Sequence, residues 1–308
     1  MNRERTTNFT LTAQNRPGPR LDRACKLVWR SYRQAFRQCQ RKQSRANVHQ
    51  LRVETRRLLA LVDLFEPILG GGAAERIRRD FKSPFKLSGR LRDTQVMLCD
   101  VKRLLGRFPE AKQFGKELLR REKRLSRQLE RELRRIRLKA LKSRMGALRE
   151  QLRAVALPAA GNLIPVRLLK GVGAAFANAV ARCRGVALTK PRAVHRTRIA
   201  FKKFRYMVEQ LRPLMLQLGG VSRERMRAYQ ALMGDIQDCE MLLAALEDFM
   251  REEKAKAGSL RKFRAAIKLN RTRFMARYLP RADELYSFWN RSFEIHSRAT
   301  AHKGPLAL

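Results

Sequence analysis

Val48-His49-Gln50-Leu51-Arg52-Val53 and Val194-His195-Arg196-Thr197-Arg198-Ile199 are one pattern written twice. The pairs His49/His195, Arg52/Arg198, Arg56/Lys202 and Arg57/Lys203 keep a constant offset of 146 residues (195 against 49). Further along, Leu87-Ser88-Gly89-Arg90-Leu91-Arg92-Asp93 recurs as Leu232-Met233-Gly234-Asp235-Ile236-Gln237-Asp238, at an offset of 145 (238 against 93). Each block is weak alone. Two blocks recurring in order at nearly one spacing indicate a duplicated unit.

On a helix at 100° per residue, His49, Arg52 and Arg56 fall within about 60° of one another. Leu51, Thr55, Leu58, Val62, Phe65 and Leu69 gather on the opposite side. In the second copy His195, Arg198, Lys202 and Arg205 span about 80°, opposed by Thr197, Phe201, Phe204, Val208 and Leu211. Each copy therefore reads as a helix with an apolar back and a His/Arg/Lys front. Asn47 or Ser44 is placed to cap the first, and Thr189 with Pro191 to open the second. That puts His49 and His195 in or near a first turn, where unpaired N–H groups attract anions.

Outward from these blocks the pattern is helical almost everywhere. Leu, Arg, Ala, Lys, Glu and Gln, all good helix formers, dominate, and alternating β-branched runs are absent. The class expected is all-α, with about eight long helices, four before residue 155 and four after 162. Breaks are expected at Pro67 to Gly72, Ser83-Pro84, Phe108-Pro109, Leu157 to Pro165, Thr189 to Pro191, Gly219-Gly220 and Gly258-Ser259. Arg120 to Arg144 holds twelve Lys/Arg and three Glu in 25 residues. There Leu125, Leu129, Leu133, Ile136 and Ala140 form one apolar stripe on an expected long basic helix. Residues 1–19 and 299–308 read as tails.

Charge bounds the function. The 308 residues carry 70 Lys+Arg against 27 Asp+Glu, a net +43. A compact body of that charge repels itself, so an anionic partner is expected: nucleic acid, an acidic membrane surface or another polyanion. With 44% hydrophobic residues the chain can still bury a core. Cys25, Cys39, Cys99, Cys183 and Cys239 are odd in number and form no CxxC pair, so buried thiols in a reducing cytosol are expected, not disulfides or zinc. No secretory h-region is visible in residues 1–20, and stretches such as 154–166 are too short and interrupted to span a bilayer. A soluble cytoplasmic protein is expected.

A line of phosphates calls for such helix faces. Arg supplies planar forks that match phosphate oxygens and Lys a point charge. Residues at i, i+3 and i+7 track one face over about 10 Å, and histidine gains charge as phosphates approach. Two such faces related by duplication can meet in one groove or pore.

At His49 through Leu58 with Gly89 through Asp93, and at His195 through Tyr206 with Gly234 through Asp238, the sequence resembles the conserved histidine α-helical domain (CHAD) family. The likeness spans roughly 20–298. It implies one pseudo-twofold all-α domain of two four-helix bundles (about 20–155 and 162–298), long antiparallel helices and a central basic channel. It also implies non-enzymatic binding of inorganic polyphosphate and association with polyphosphate granules. The binders it implies are His49, Arg52, Arg56, Arg57, His195, Arg198, Lys202, Lys203 and Arg205, with Arg90 and Arg92 near the second motif. Some members carry a fused triphosphatase-type (CYTH) domain, for which no residues remain here. The departure from the pattern is in the second copy, where Asp235 and Gln237 stand in place of Arg90 and Arg92. Asp93 and Asp238 are expected to orient arginines.

Catalytic, metal and cofactor motifs are not expected. Glu130-Arg131-Glu132-Leu133-Arg134 spells the ExExR of a metal-binding strand, but on a helix those carboxylates diverge by about 200°. There is no HExxH, Walker A loop or GxSxG, and His296 and His302 look incidental. The competing reading is a general polyanion or nucleic-acid binder using backbone contacts alone, since base stacking needs exposed aromatics and Phe201 and Phe204 lie on the apolar back, with Trp29 and Trp289 outside the repeat. A phosphohydrolase or polyphosphate kinase lacks the carboxylates and nucleotide loop it needs.

Overall fold

The computed structural model describes residues 17–69, 72–155, 163–184, 190–214, 222–252 and 258–289. Among them there is no strand. The α-helices are α1 (Pro17–Arg41), α2 (Arg45–Leu69), α3 (Ala73–Leu104), α4 (Lys112–Arg135), α5 (Leu138–Val155), α6 (Leu163–Arg184), α7 (Pro191–Leu211), α8 (Arg223–Glu252) and α9 (Arg261–Tyr278). A short 3-10 turn at Pro109–Ala111 and a longer 3-10 segment at Leu279–Phe288 complete the chain.

Local chemistry sets the ends that matter for the site. Ser44 caps α2: its Oγ accepts the Asn47 N–H at 3.2 Å and its carbonyl the Val48 N–H at 2.9 Å. The Asn47 side chain donates back to the Lys42 and Gln38 carbonyls at 2.8 and 3.2 Å, satisfying the end of α1. Pro191 begins α7, where its fixed φ suits a first helical position and its missing N–H costs nothing. Gly72 has φ +80° before α3, a conformation a side chain would strain. His49 and His195 each sit at the fifth position of their helix. That is near the first turn, as expected, but just beyond the four free N–H groups.

The helices pair as α1–α2, α2–α3 and α3–α4 in the first part of the chain, and as α6–α7, α7–α8 and α8–α9 in the second. Between the two parts, α2 packs on α7 and α6, and α3 crosses α8. The largest core runs along α1, α2, α5, α6 and α7, with Phe36, Phe65, Phe201 and Phe204 all fully buried. Each such side chain contributes roughly 1.5–3 kcal/mol. A second apolar cluster forms where α3 and α4 meet α8 and α9, with Phe108 against Phe263 (5.6 Å between ring centres) and Phe114 against Phe249 (5.5 Å).

Three expectations change. The stretch 120–144 is not one helix, and five α-helices, not four, precede residue 155 among the described residues. Ile136 leaves the helix with ψ 117°, and the Arg137 carbonyl restarts it by accepting from Ala140 and Leu141. The reason lies in the apolar phase. Leu125, Leu129 and Leu133 face α3, whereas the buried stripe of α5 (Leu141, Met145, Leu148, Leu152) serves α1. A straight helix would carry Leu141 about 80° out of line with Leu133, and Ala140, assigned to the single stripe, is exposed.

The break expected at Ser83-Pro84 is absent as well. α3 runs straight through Pro84, which is buried, and Ser83 donates to Glu132 of α4 at 2.7 Å. Packing on both sides compensates the one backbone bond proline removes. Finally, Gly18 and Pro19, read as tail, already belong to α1. Residues 1–16 and 290–308, with His296 and His302, lie outside the described residues, as do Leu157, Pro158, Thr189, Gly219 and Gly220.

The five cysteines are free; Cys25, Cys39 and Cys183 are buried, and burial raises the Cys25 and Cys39 thiols to about 12. α6 is long and apolar enough to cross a membrane by length and composition, a stretch the sequence reading passed over. Its Ile164, Leu168, Val172, Ala175, Ala179 and Cys183 form a buried stripe, and the helix packs on α7 and α2.

Candidate functional site

Where α2 packs on α7 the two basic fronts meet. Arg52 and Arg56 come from α2, Arg198 and Lys202 from α7, and His49 and His195 lie one turn back toward each helix start. Arg56, Arg198 and Arg52 all bear electrostatically on Lys202, and Arg198 bears on Arg56. The four basic side chains form one cluster.

Burial and mutual repulsion shape their protonation. Burial first, then Arg56, Arg198, Arg52 and Arg205, push the Lys202 ammonium down to about 6. Arg52 is pulled down to about 10 by burial and by Arg56, and stays cationic at neutral pH. Arg56 is lowered by burial, opposed by its hydrogen bond to Tyr206. Both histidines are lowered, His49 by burial with Arg92, Arg56, Lys202 and Arg52, and His195 by burial with Arg198, opposed by a hydrogen bond with Gln237.

Asp93 of α3 stands in the field of Arg52, Arg56, Arg198 and Lys202, yet burial outweighs them and its carboxyl lies above the ordinary value. Asp238 of α8 is raised to about 6 by burial, with Asp100, Asp235 and Asp93 adding to the rise and Arg198 opposing it. Asp93 and Asp238 are the acids that face the cluster. Like charges a few ångströms apart repel by on the order of 4 kcal/mol at an effective dielectric near 20.

The glycines of the second motif make room for the arginines. A Cβ on Gly89 would lie 2.7 Å from Arg52 Nη1, and one on Gly234 would lie 3.9 Å from Arg198 Nε. Arg52 is 9% exposed and donates from Nη1 to the Phe85 carbonyl at 3.0 Å. The guanidinium carbons of Arg52 and Arg56 both lie over the Phe85 ring, 4.9 and 5.1 Å from its centre. Arg198 Nε and His195 Nδ1 are buried with no hydrogen-bond partner, donor and acceptor capacity left for something else.

Of the residues singled out from sequence, His49, Arg52, Arg56, His195, Arg198 and Lys202 come together here, with Arg92 joining beside His49, Arg45 and Asp238. Four do not. Arg57 pairs with Glu54 at 2.7 Å on the flank of α2. Lys203 is exposed and pairs with Asp63 at 2.9 Å, tying α7 to α2. Arg205 is 5% exposed, donates from Nε to Gln230 at 2.8 Å and pairs with Glu209. Arg90 is exposed on another face of α3, beside Arg79, Lys82 and Lys86. The helical wheel fails for Arg205 because it cannot see the acids one turn away, and the resemblance fails to separate Arg90 from Arg92 because position 90 turns about 100° from Gly89. Sequence reading also missed Phe85, Tyr206 and Arg45. Tyr206 ends the second motif, which is the one signal pointing to it.

Glu130 and Glu132, the tempting carboxylates, go separate ways on α4: Glu130 binds Arg134 at 2.6 Å and Glu132 accepts from Ser83. Among the described residues no group of three or more His, Cys, Asp or Glu is placed to hold a metal ion.

The family model that matches is the CHAD domain, over residues 16–247. No curated protein matches. Among solved structures, the chain is similar to the crystal structure of the CHAD domain from the plant Ricinus communis. That likeness has a TM-score of 0.62 and 16% identity, covering 99% of this chain and 98% of that one. It is also similar to PptA from Streptomyces chartreusis, with a TM-score of 0.60 and 17% identity, covering 87% of this chain and 99% of that one.

Proposed function

Starting from the fact that the chain belongs to the CHAD domain family, we propose that it binds inorganic polyphosphate, without turning it over, at the cluster between α2 and α7. The observation that carries this reading is the convergence of Arg52, Arg56, Arg198 and Lys202 where two helices pack, with Arg198 Nε and His195 Nδ1 left unpaired. Basic groups held this close together are stabilised by an anion, and a linear one satisfies the row at i, i+3 and i+7 on both helices at once. The pairing of α2 with α7 and of α3 with α8 supports reading the two parts as copies of one unit of about 20–298, facing each other across a basic channel. Cytoplasmic residence, at polyphosphate granules, belongs to the same proposal.

Nucleic acid is the competing polyanion. Phe201 and Phe204 are 0% exposed and Tyr206 is buried, so none of the three offers a base a stacking surface.

The test is a titration of purified protein with long-chain polyphosphate at two salt concentrations, with RNA as competitor, beside the double variant Arg56→Ala, Lys202→Ala. Each phosphate neutralised should contribute about 0.7–0.9 to the fall of log K with log salt, by analogy with nucleic acids. Polyphosphate should displace RNA and not the reverse, and the double variant should lose that preference. A flat salt dependence, equal competition by RNA, or a double variant that binds like wild type would sink the proposal.

A further inference from the structure

Some arginines of this protein are held by their edges. Arg205, whose guanidinium also lies over the Tyr206 ring, gives its edge donors to Gln230 and Glu209, and Arg78 gives its own to Asp63 and Glu66. A guanidinium tied up along its edge has little left for a phosphate, because its donors all lie in one plane. The guanidinium carbons of Arg52 and Arg56 instead both lie over the single ring of Phe85. A ring beneath a guanidinium steadies it while leaving most of its N–H groups unspent. Arg52 spends one donor on the Phe85 carbonyl and Arg56 one bond on Tyr206. At the offset of 145 that relates the two copies of the second motif, the counterpart of Phe85 is Gln230, the residue that fastens Arg205.

We propose that Phe85 is a positioning residue of the anion site: one aromatic ring aligns the Arg52 and Arg56 forks toward the phosphate chain and keeps their edges free. The inference rests on the polyphosphate reading and names what gives the first half its grip. The ring is half-buried, on the wall of a groove it shares with Leu59, Phe81 and Lys82, so a merely structural role as filler is the alternative.

The experiment compares the full-length wild type with Phe85→Leu, Phe85→Gln and Phe85→Tyr. Long-chain polyphosphate is titrated at four salt concentrations, and thermal unfolding is followed in parallel. Phe85→Leu keeps an apolar side chain in the groove but loses the ring. It should weaken binding about tenfold, the size of one to two cation–π contacts, and should lower the salt slope by the roughly 0.7–1.8 expected for one or two lost phosphate contacts. Phe85→Gln should do the same, and Phe85→Tyr should restore both affinity and slope. A Phe85→Leu protein with wild-type affinity and slope, whatever its melting temperature, overturns the proposal. So does a Phe85→Tyr protein as impaired as Phe85→Leu. Failure of the wild type to bind polyphosphate is a separate result: it removes the functional reading, and the positioning role with it.

Discussion

Replacing Gly89 by Ala separates the architecture of the site from the stability of its helix. Gly89 and Gly234 lie inside α3 and α8 with ordinary helical backbones. In a helix interior the change to Ala is worth about 1 kcal/mol in favour of folding. At Gly234 the new methyl meets Arg198 Nε and Nη2 at 3.9 Å, ordinary contact, so that gain should survive. At Gly89 it meets Arg52 Nη1 at 2.7 Å, Cζ at 3.3 Å and Nη2 at 3.4 Å, so this guanidinium, on a buried residue 9% exposed, has to shift. A shift off both its contacts forfeits a charged hydrogen bond worth roughly 1.5–3 kcal/mol and a cation–π contact worth about 0.5–2. Against the helix gain, Gly89→Ala should therefore be destabilised, by up to roughly 4 kcal/mol. Thermal unfolding reads the difference at about 2 °C per kcal/mol for a chain of this size. Polyphosphate titration of the two variants reads the site, and only Gly89→Ala should lose affinity, by about tenfold or more. A Gly89→Ala protein that gains stability as Gly234→Ala does, and binds as the wild type does, would refute the wedging of Arg52 against α3.

Polyphosphate binding should take up protons, because Lys202 sits near 6 when the site is empty and an adjacent phosphate restores its charge. Affinity should therefore rise as pH falls from 9 toward 6, by up to tenfold per unit, and level off below 6; Lys202→Arg should flatten this profile. In the ligand-free protein the sign is reversed. A lowered basic pKa means that the unfolded chain holds more protons between about 6 and 10, so Lys202 makes stability increase with pH across that window, measurable by urea melts at pH 6, 7.5 and 9. Tyr206→Phe removes the hydroxyl that steadies Arg56 and should weaken polyphosphate binding roughly tenfold, a neutral-to-charged hydrogen bond's lower range, with the melting temperature little changed. Phe201→Ala empties a fully buried position packed on Tyr229 and Phe288; denaturant unfolding should show a loss of about 3–5 kcal/mol.

The helical class and the meeting residues were legible because they rest on period alone. His49, Arg52 and Arg56 share a face by arithmetic, and the repeat predicts that His195, Arg198 and Lys202 answer them. What the period cannot carry is partnership. Arg205 fits the wheel about as well, and the repeat adds Arg57 and Lys203, but Glu209, Glu54 and Asp63 claim them. Phe85 was invisible for the converse reason: nothing in an isolated phenylalanine says that two guanidinium groups from another helix will lie over it. The kink at Ile136 and the uninterrupted path through Pro84 are tertiary decisions, made by which neighbour each apolar stripe has to serve.

The contact of α2 with α7 joins residues about 146 positions apart (49 against 195), whereas α1–α2, α6–α7 and α8–α9 join near neighbours in the chain. Local pairs form early and distant ones late, so the anion site should be among the last parts of the fold to be assembled. That step brings Arg52, Arg56 and Arg198 together against their own repulsion and should be slowed at low salt. On the proposed polyphosphate reading, a polyanion present during refolding should screen the approaching faces and act as a folding template, so that the last phase of refolding quickens when it is added.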